Sequence, residues 1–355
     1  MTSITLGTCL AGTRLRDMVK LRLRAWRHHS QTRDWIALLN SHSTLRELAA
    51  TCPRLIHKIY RPYLSSRFNC QQRLAVLMTH YRFVLQHGLG AAVSHAARGP
   101  LTLARFAGKS GAMYSIELRA ISAMEREGEL VLQLRCNKDD DNALVYTLAF
   151  SFLADGRHGQ LRSVGIGCVQ GPQGADGLEL IRTATRELHG MRPKNLMVRL
   201  VRQLGYEYGC QQLLLVGNDN RAVRNSVRKG LVLADYNALW LELGASVRAD
   251  GDYQLDCGAL PPPAMEDIPS KKRSEVRKRH ELLVAVIAAT SAGLRAPALN
   301  AAMPAAVPLL SLVPSLSKAA PEIHAPPEMG QPLNGQNNGQ NNGQKMGQKF
   351  VAAIA

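Results

Sequence analysis

The chain has 355 residues, with 44 Lys and Arg against 27 Asp and Glu and a formal net charge of +17 at pH 7. That length admits one large or two small domains with ample core, and the charge favours a polyanion: a phosphorylated small molecule, an anionic lipid surface or nucleic acid. No apolar run approaches the roughly 20 residues of a membrane span, the seven scattered cysteines argue against a disulfide framework or a zinc site, and Met1–Leu10 lacks a signal-peptide pattern, so a cytoplasmic location is expected.

Residues 1–31 are basic and weakly patterned, and read as a flexible or loosely helical lead-in. The charge is concentrated early: up to Ser110 there are 17 Lys and Arg against 3 Asp and Glu, a local excess of +14. Residues 32–110 read as a helical subdomain. Cys70, Leu74, Leu77, Met78, Tyr81 and Leu85 share one face of a helix. Ser43 or Thr44 is placed to cap a helix carrying Leu45 and Leu48, with Glu47 at capping-box distance from Thr44.

From Met113 the period shortens, and 111–260 reads as a mixed α/β domain. Strands are expected around Tyr114–Leu118, Leu130–Leu134, Ala143–Phe152 and Gln160–Val169, joined by short turns and therefore antiparallel. Val164–Val169 is a buried strand that breaks into the Gly-rich turn Gln170–Ala175 and then a helix with Leu178, Ile181, Thr185 and Leu188 facing inward. A second helix starts at Pro193, and the apolar strand Leu213–Val216 follows, parallel to the earlier one by βαβ logic. A helix over Arg221–Lys229 and strands at Leu239–Leu243 and Tyr253–Leu255 are expected next. Pro261–Pro263 opens a linker (261–292) with a basic helix over Ser270–Val286. Residues 293–355 are Ala/Pro-rich, then Gly/Gln/Asn-rich, and read as a disordered tail.

Five motifs occur in order: Tyr60-Arg61-Pro62-Tyr63-Leu64; His80-Tyr81; His189-Gly190-Met191-Arg192-Pro193-Lys194; Asp235-Tyr236 with Trp240; and Ile268-Pro269-Ser270-Lys271-Lys272-Arg273. The set resembles the VirK/YbjX family over about Thr32 to Leu283. That resemblance implies a Gram-negative bacterial protein linked to virulence, to cell-envelope or antimicrobial-peptide stress and to the DNA-damage response. It admits peripheral attachment at the inner membrane and carries over no catalytic residue. The Gly/Gln/Asn tail departs from the family pattern.

The strand, turn and helix at Val164–Leu188 also resemble the GNAT acyltransferase fold. There, backbone N–H groups of such a turn cradle the pyrophosphate of acyl-CoA. The resemblance makes Gln170, Gly171, Gln173, Gly174 and Ala175 the candidate phosphate turn, although Gln173 stands where that pattern has glycine and Gly174 follows one residue later. Ala222, Arg228, Gly230 and Leu231 match the downstream pattern, while Ser226 replaces its tyrosine general acid.

Asn218, just past a strand end, is a candidate to orient a ligand, or an ordinary helix-capping residue. His189 reads as a helix-end cation complementing the dipole. Cys168 and Cys210 read as buried thiols. The expected architecture is thus an N-terminal helical subdomain packed on a mixed-sheet, GNAT-like α/β domain. Three functions remain open: a stress and virulence factor of the VirK/YbjX type, an acyl-CoA-dependent transferase acting on an amine or hydroxyl, and a basic nucleic-acid-binding regulator.

Overall fold

A computed structural model describes residues 3–5, 15–138, 141–155, 161–223, 234–296 and 309–310. All belong to one compact unit that reaches Leu312. The Gly/Gln/Asn-rich tail, most of the expected helix over Arg221–Lys229, and the candidate residue Ser226 lie outside the described residues.

The N-terminal third holds α1 (Leu15–Arg27), α2 (His29–Ser41), α3 (Ser43–Thr51), a 3-10 segment (Pro53–Tyr60), α4 (Cys70–Gln86) and α5 (Gly90–Arg98). The lead-in, expected to be flexible or loosely helical, is helical from Leu15 and is anchored because Leu21 and Ala25 are buried. The cap of α3 is His42, whose Nδ1 accepts the Thr44 N–H at 3.2 Å. Glu47 serves no capping box; its carboxylate pairs instead with Arg98 of α5. The capping box that does form is on α4, where Asn69 and Gln72 exchange two 2.9 Å bonds.

The strands are β1 (Leu101–Ala107), β2 (Met113–Ala120), β3 (Leu130–Lys138), β4 (Asp141–Asp155) and β5 (Leu161–Gln170). They form an antiparallel series. β1 lies inside the stretch expected to be helical. A register shift between Thr102 and Ala104 breaks its alternation and hides it from a period-2 reading.

Then come α6 (Gly174–Glu187), α7 (Pro193–Glu207), β6 (Gln212–Leu215), α8 (Tyr236–Glu242), β7 (Ser246–Val247), β8 (Tyr253–Asp256), α9 (Ser270–Arg295) and β9 (Leu309–Leu310). β6 runs parallel to β5, as the βαβ connection requires. The sheet order is β7-β8-β6-β5-β4-β3-β2-β1-β9, with β5 in the interior. The expected strand at Leu239–Leu243 is the helix α8 instead. Asp235 caps it by accepting the Ala238 N–H at 3.2 Å, and Tyr236, Leu239 and Trp240 recur at helical spacing on its buried side. On α6, Gly177, Ala184 and the C-cap Leu188 face inward, whereas Leu178 is 57% exposed. α9 runs beyond both Val286 and Gly293 and buries Leu294.

One face of the sheet carries Leu118, Leu132, Leu148, Phe150, Phe152, Val164 and Ile166, which join the main core with the helices. On the other face Val131, Ala149 and Cys168 form a small separate cluster with Met124. There the β2–β3 loop lies directly on β5. A Cβ on Gly167 would overlap the carbonyl oxygen of Glu127, so only glycine permits this approach.

Candidate active site in the notch between β5 and β6

β6 pairs with β5 only from Ser163↔Gln212 to Ile166↔Leu215. A last bond, Val216 N–H to the Ile166 carbonyl at 3.1 Å, closes the ladder. β5 continues to Gln170 against β4, with Gly167 as the extra residue of a bulge: Ala149 faces Cys168 and Phe150 faces Ile166. The end of β5 has thus lost its neighbour on one side. A strand edge left this way presents unpaired backbone groups.

Tyr236, the first residue of α8, stands in the gap. Its hydroxyl accepts the Val169 N–H at 2.8 Å and lies 3.2 Å from the Val169 carbonyl and 3.4 Å from Cys168 Sγ. The Arg221 guanidinium lies over the Tyr236 ring, 3.8 Å from its centre. Arg221 is 2% exposed, and its Nη1 donates to the Ala234 carbonyl at 3.1 Å. Its Nε has no hydrogen-bond partner among the described residues. A cavity of about 220 Å³ opens here, lined by Glu127, Cys168, Gln170, Arg221 and Tyr236 among others.

The electrostatics follow from burial. Desolvation raises the Glu127 carboxyl above the usual carboxylate range, opposed by the Arg221 charge and a hydrogen bond with Cys168. Burial, reinforced by Glu127, pushes the Cys168 thiol up to about 12. Cys168 is therefore a protonated, unreactive thiol at neutral pH, as expected for a buried cysteine. Burial likewise holds the Tyr236 hydroxyl well above its ordinary range. Glu127 is the group suited to exchange protons.

The candidate phosphate turn is split. Gln170 lines the cavity, whereas Gln173, Gly174 and Ala175 are exposed. Gln173 is the N-cap of α6 and its side chain makes no capping hydrogen bond, and Asp176 lies in the first turn. Gly174 has φ +82° and nothing lies near its Cβ position. That positive φ favours glycine at this position. Gly171 packs on Tyr146 and Ile181. Both line a groove of about 710 Å³ that also takes in Arg182, Arg186, Arg192, Pro193 and Lys194.

The family motifs fall into distinct roles. Asn218 accepts the Tyr236 N–H at 2.9 Å and donates to Asp235 at 2.8 Å; it is a capping residue that holds Tyr236 in place. Trp240 Nε1 donates to the Val216 carbonyl at 2.9 Å, fixing α8 where β6 ends. Arg192 and Lys194 each bond Glu242 of α8 at 2.8 Å. His189 has φ +51° and its carbonyl accepts Arg279 Nε at 2.8 Å.

Further off, Tyr63 meets Ser151 at 2.7 Å. Tyr60 meets Thr32 at 2.6 Å and Arg61 pairs with Glu125 at 3.3 Å. Pro62 lies in the same turn, whose next residues, Tyr63 and Leu64, are buried; Leu64 packs over Gly165 and Gly167. His80 and Tyr81 enter a buried network around the Lys58–Glu129 pair, whose Nζ and Oε1 are 2.5 Å apart. Lys271, Lys272 and Arg273 sit exposed on the first turn of α9, remote in the chain from the notch motifs. The sequence reading missed Glu127, Arg221, Lys58 and Glu129. The glycines at 165 and 167 inside a buried strand were the available signal, since they mark where another backbone must approach.

The architecture defines a mixed α/β protein with N-terminal helices on a largely antiparallel sheet and a notched parallel pair. The chain belongs to the family described as Protein of unknown function (DUF535), whose profile matches residues 11–292. It is 28% identical over 258 residues to the uncharacterized protein YbjX of Escherichia coli K12, covering 71% of this chain and 76% of that one. It is 26% identical over 264 residues to an uncharacterized protein of Haemophilus influenzae, covering 74% and 84%. It is 28% identical over 204 residues to membrane protein LapB of Mannheimia haemolytica, covering 58% and 82%. Among solved structures, a mutant of a cAMP-binding acyltransferase from Mycobacterium smegmatis aligns over 61% of this chain and 60% of that one, at 11% identity. Its TM-score is 0.24, a value at which the likeness carries no argument. Among the described residues no helix is long and apolar enough to cross a membrane.

Proposed function

We propose that this protein is an acyl-CoA-dependent transferase whose acyl-thioester end enters the notch between β5 and β6. The observation that carries this reading is the cavity itself. It lies against a strand end that has lost its neighbour, and it pairs a desolvated carboxyl, Glu127, with an arginine Nε that has no partner among the described residues. At about 220 Å³ it suits the end of a pantetheine arm. It is smaller than the roughly 300–1,000 Å³ that encloses a whole drug-sized ligand. The nucleotide then lies outside, along the groove with Arg182, Arg186, Arg192 and Lys194, where its phosphates displace the Glu179 and Glu242 carboxylates that pair with these cations in the free protein.

In the reaction an acceptor nitrogen or oxygen attacks the thioester carbonyl carbon, and the C–S bond breaks as the new bond to carbon forms. Glu127 takes the acceptor proton, the arginine N–H faces the developing oxyanion, and CoA leaves as the thiol after gaining a proton from solvent. Tyr236 holds the Val169 N–H in the free protein, and binding exchanges that bond for one to a pantetheine amide. The virulence and envelope-stress role implied by the VirK/YbjX resemblance fits an acceptor on an envelope component. The name of the Mannheimia relative, a membrane protein, points the same way.

Titration calorimetry with acetyl-CoA tests the reading. The wild type and Glu127→Gln should bind within a few-fold of each other, while acyl transfer in the variant falls by about 100-fold or more. Absence of heat at millimolar acetyl-CoA overturns it.

A further inference from the structure

We propose that α1 is an interfacial anchor that seats the protein on an anionic lipid surface. Val19, Leu23 and Trp26 are 58%, 63% and 78% exposed. At 3.6 residues per turn they fall within about 60° of arc, so they form one continuous apolar stripe. The opposite side of the helix buries Leu21 and Ala25 against the rest of the fold, which fixes the stripe outward. Scattered exposed apolar residues are ordinary; three aligned on one helix and ending in a tryptophan are not.

The charges around the stripe identify what covers it. Lys20, Arg22, Arg24 and Arg27 are all exposed, and no carboxylate occurs from Val19 to Arg27. Arg22 flanks the stripe on one side and Arg27 and Lys20 on the other. An apolar strip bordered on both sides by cations matches the boundary between acyl chains and anionic headgroups. There the apolar side chains enter the hydrocarbon edge, the tryptophan sits at headgroup level and each cation gains from the negative surface. A protein partner covering the same strip would need a row of acidic groups on each side of an apolar groove, and a second copy of this basic helix would place like charges together.

The experiment uses the full chain and vesicles of phosphatidylglycerol with phosphatidylcholine, against vesicles of phosphatidylcholine alone. Trp35 and Trp240 are fully buried, so a change in tryptophan emission on binding reports Trp26. The expected result is a blue shift and co-sedimentation with the anionic vesicles only, both weakening as salt rises. Leu23→Glu should lower vesicle affinity by about tenfold or more. Arg22→Glu with Arg27→Glu should abolish the preference for the anionic vesicles. Leu23 is exposed, so an unchanged melting temperature in Leu23→Glu separates loss of binding from loss of fold. Three results overturn the proposal: no binding to anionic vesicles, equal binding to both kinds, or vesicle binding untouched by Leu23→Glu. It is equally overturned if the shift appears without vesicles as protein concentration rises, or if only duplex DNA or RNA produces it.

Discussion

His80 shows how one buried side chain makes the fold sensitive to pH. The end of β4 runs past the start of β3, and the Phe152 N–H that no strand takes is accepted by His80 Nδ1 at 3.1 Å. The ring also stacks on Phe152, with centres 5.9 Å apart. Burial first, with the Lys58 charge acting in the same sense and Glu129 against it, brings the imidazole down from 6.5 to about 4. A base depressed on folding contributes stability that is complete above the unfolded value and is lost as pH falls through the folded one. Between about pH 6.5 and 4 the chain should therefore lose up to about 3 kcal/mol. Urea titrations at pH 7 and 4.5 should show that loss in the wild type. His80→Asn, which keeps an acceptor for the Phe152 N–H but cannot titrate, should show a smaller one. An equal loss in both would place the sensitivity elsewhere.

Between elements, the Lys58–Glu129 pair fastens the 3-10 segment to the β2–β3 loop. Lys58 also donates to the Ile121 carbonyl at 3.1 Å, and Tyr81 of α4 donates to the other Glu129 oxygen. Removing one charge leaves the other buried and unpaired. Glu129→Gln should thus cost roughly 3–5 kcal/mol, while Lys58→Met with Glu129→Leu recovers much of it. Denaturant unfolding of the single and double variants checks this, and a double variant as weak as the single one would contradict it.

The element pattern was legible where a long apolar or alternating run, or a helical spacing, outweighed local irregularities: β2 to β6, α4, α7 and the parallel pair were readable, even though β3–β4 and β4–β5 each carry a register shift. It was not legible where a local event broke the period. The bulge in β1 did so, and α8 is too short for apolar spacing to separate it from a strand without its Asp235 cap. The site was half legible. The turn after β5 and Tyr236 could be singled out from motifs. Glu127 and Arg221 could not, because nothing local marks a charged residue that will be buried by a loop or a stacked ring from another part of the chain.

At the scale of the molecule, α9 packs along β1 and against α7, and its buried apolar residues join the main core. Leu294 is buried, and Arg295 bonds Glu207 of α7 at 2.5 Å. Leu309–Leu310 then pairs in parallel with β1. Truncation after Gly293 should therefore lower stability by about 1–3 kcal/mol, chiefly through Leu294. Truncation after Leu312 should leave the melting temperature unchanged, because the Pro, Gly, Asn and Gln of the remaining sequence offer little to bury. Scanning calorimetry of the two truncations distinguishes them, and a large drop in the second would show that the tail docks.

The notch joins these scales: a strand that outlasts its neighbour, a helix that plugs the gap and a loop that carries a carboxyl into it. Amide hydrogen exchange with and without saturating acetyl-CoA tests this arrangement most directly, because it reports both binding and place. Slowed exchange is expected from Gly167 to Asp176 and from Ala234 to Trp240, with strands β2 and β3, which do not border the notch, unaffected. Exchange unchanged in both segments, or protection confined to another part of the molecule, would contradict it.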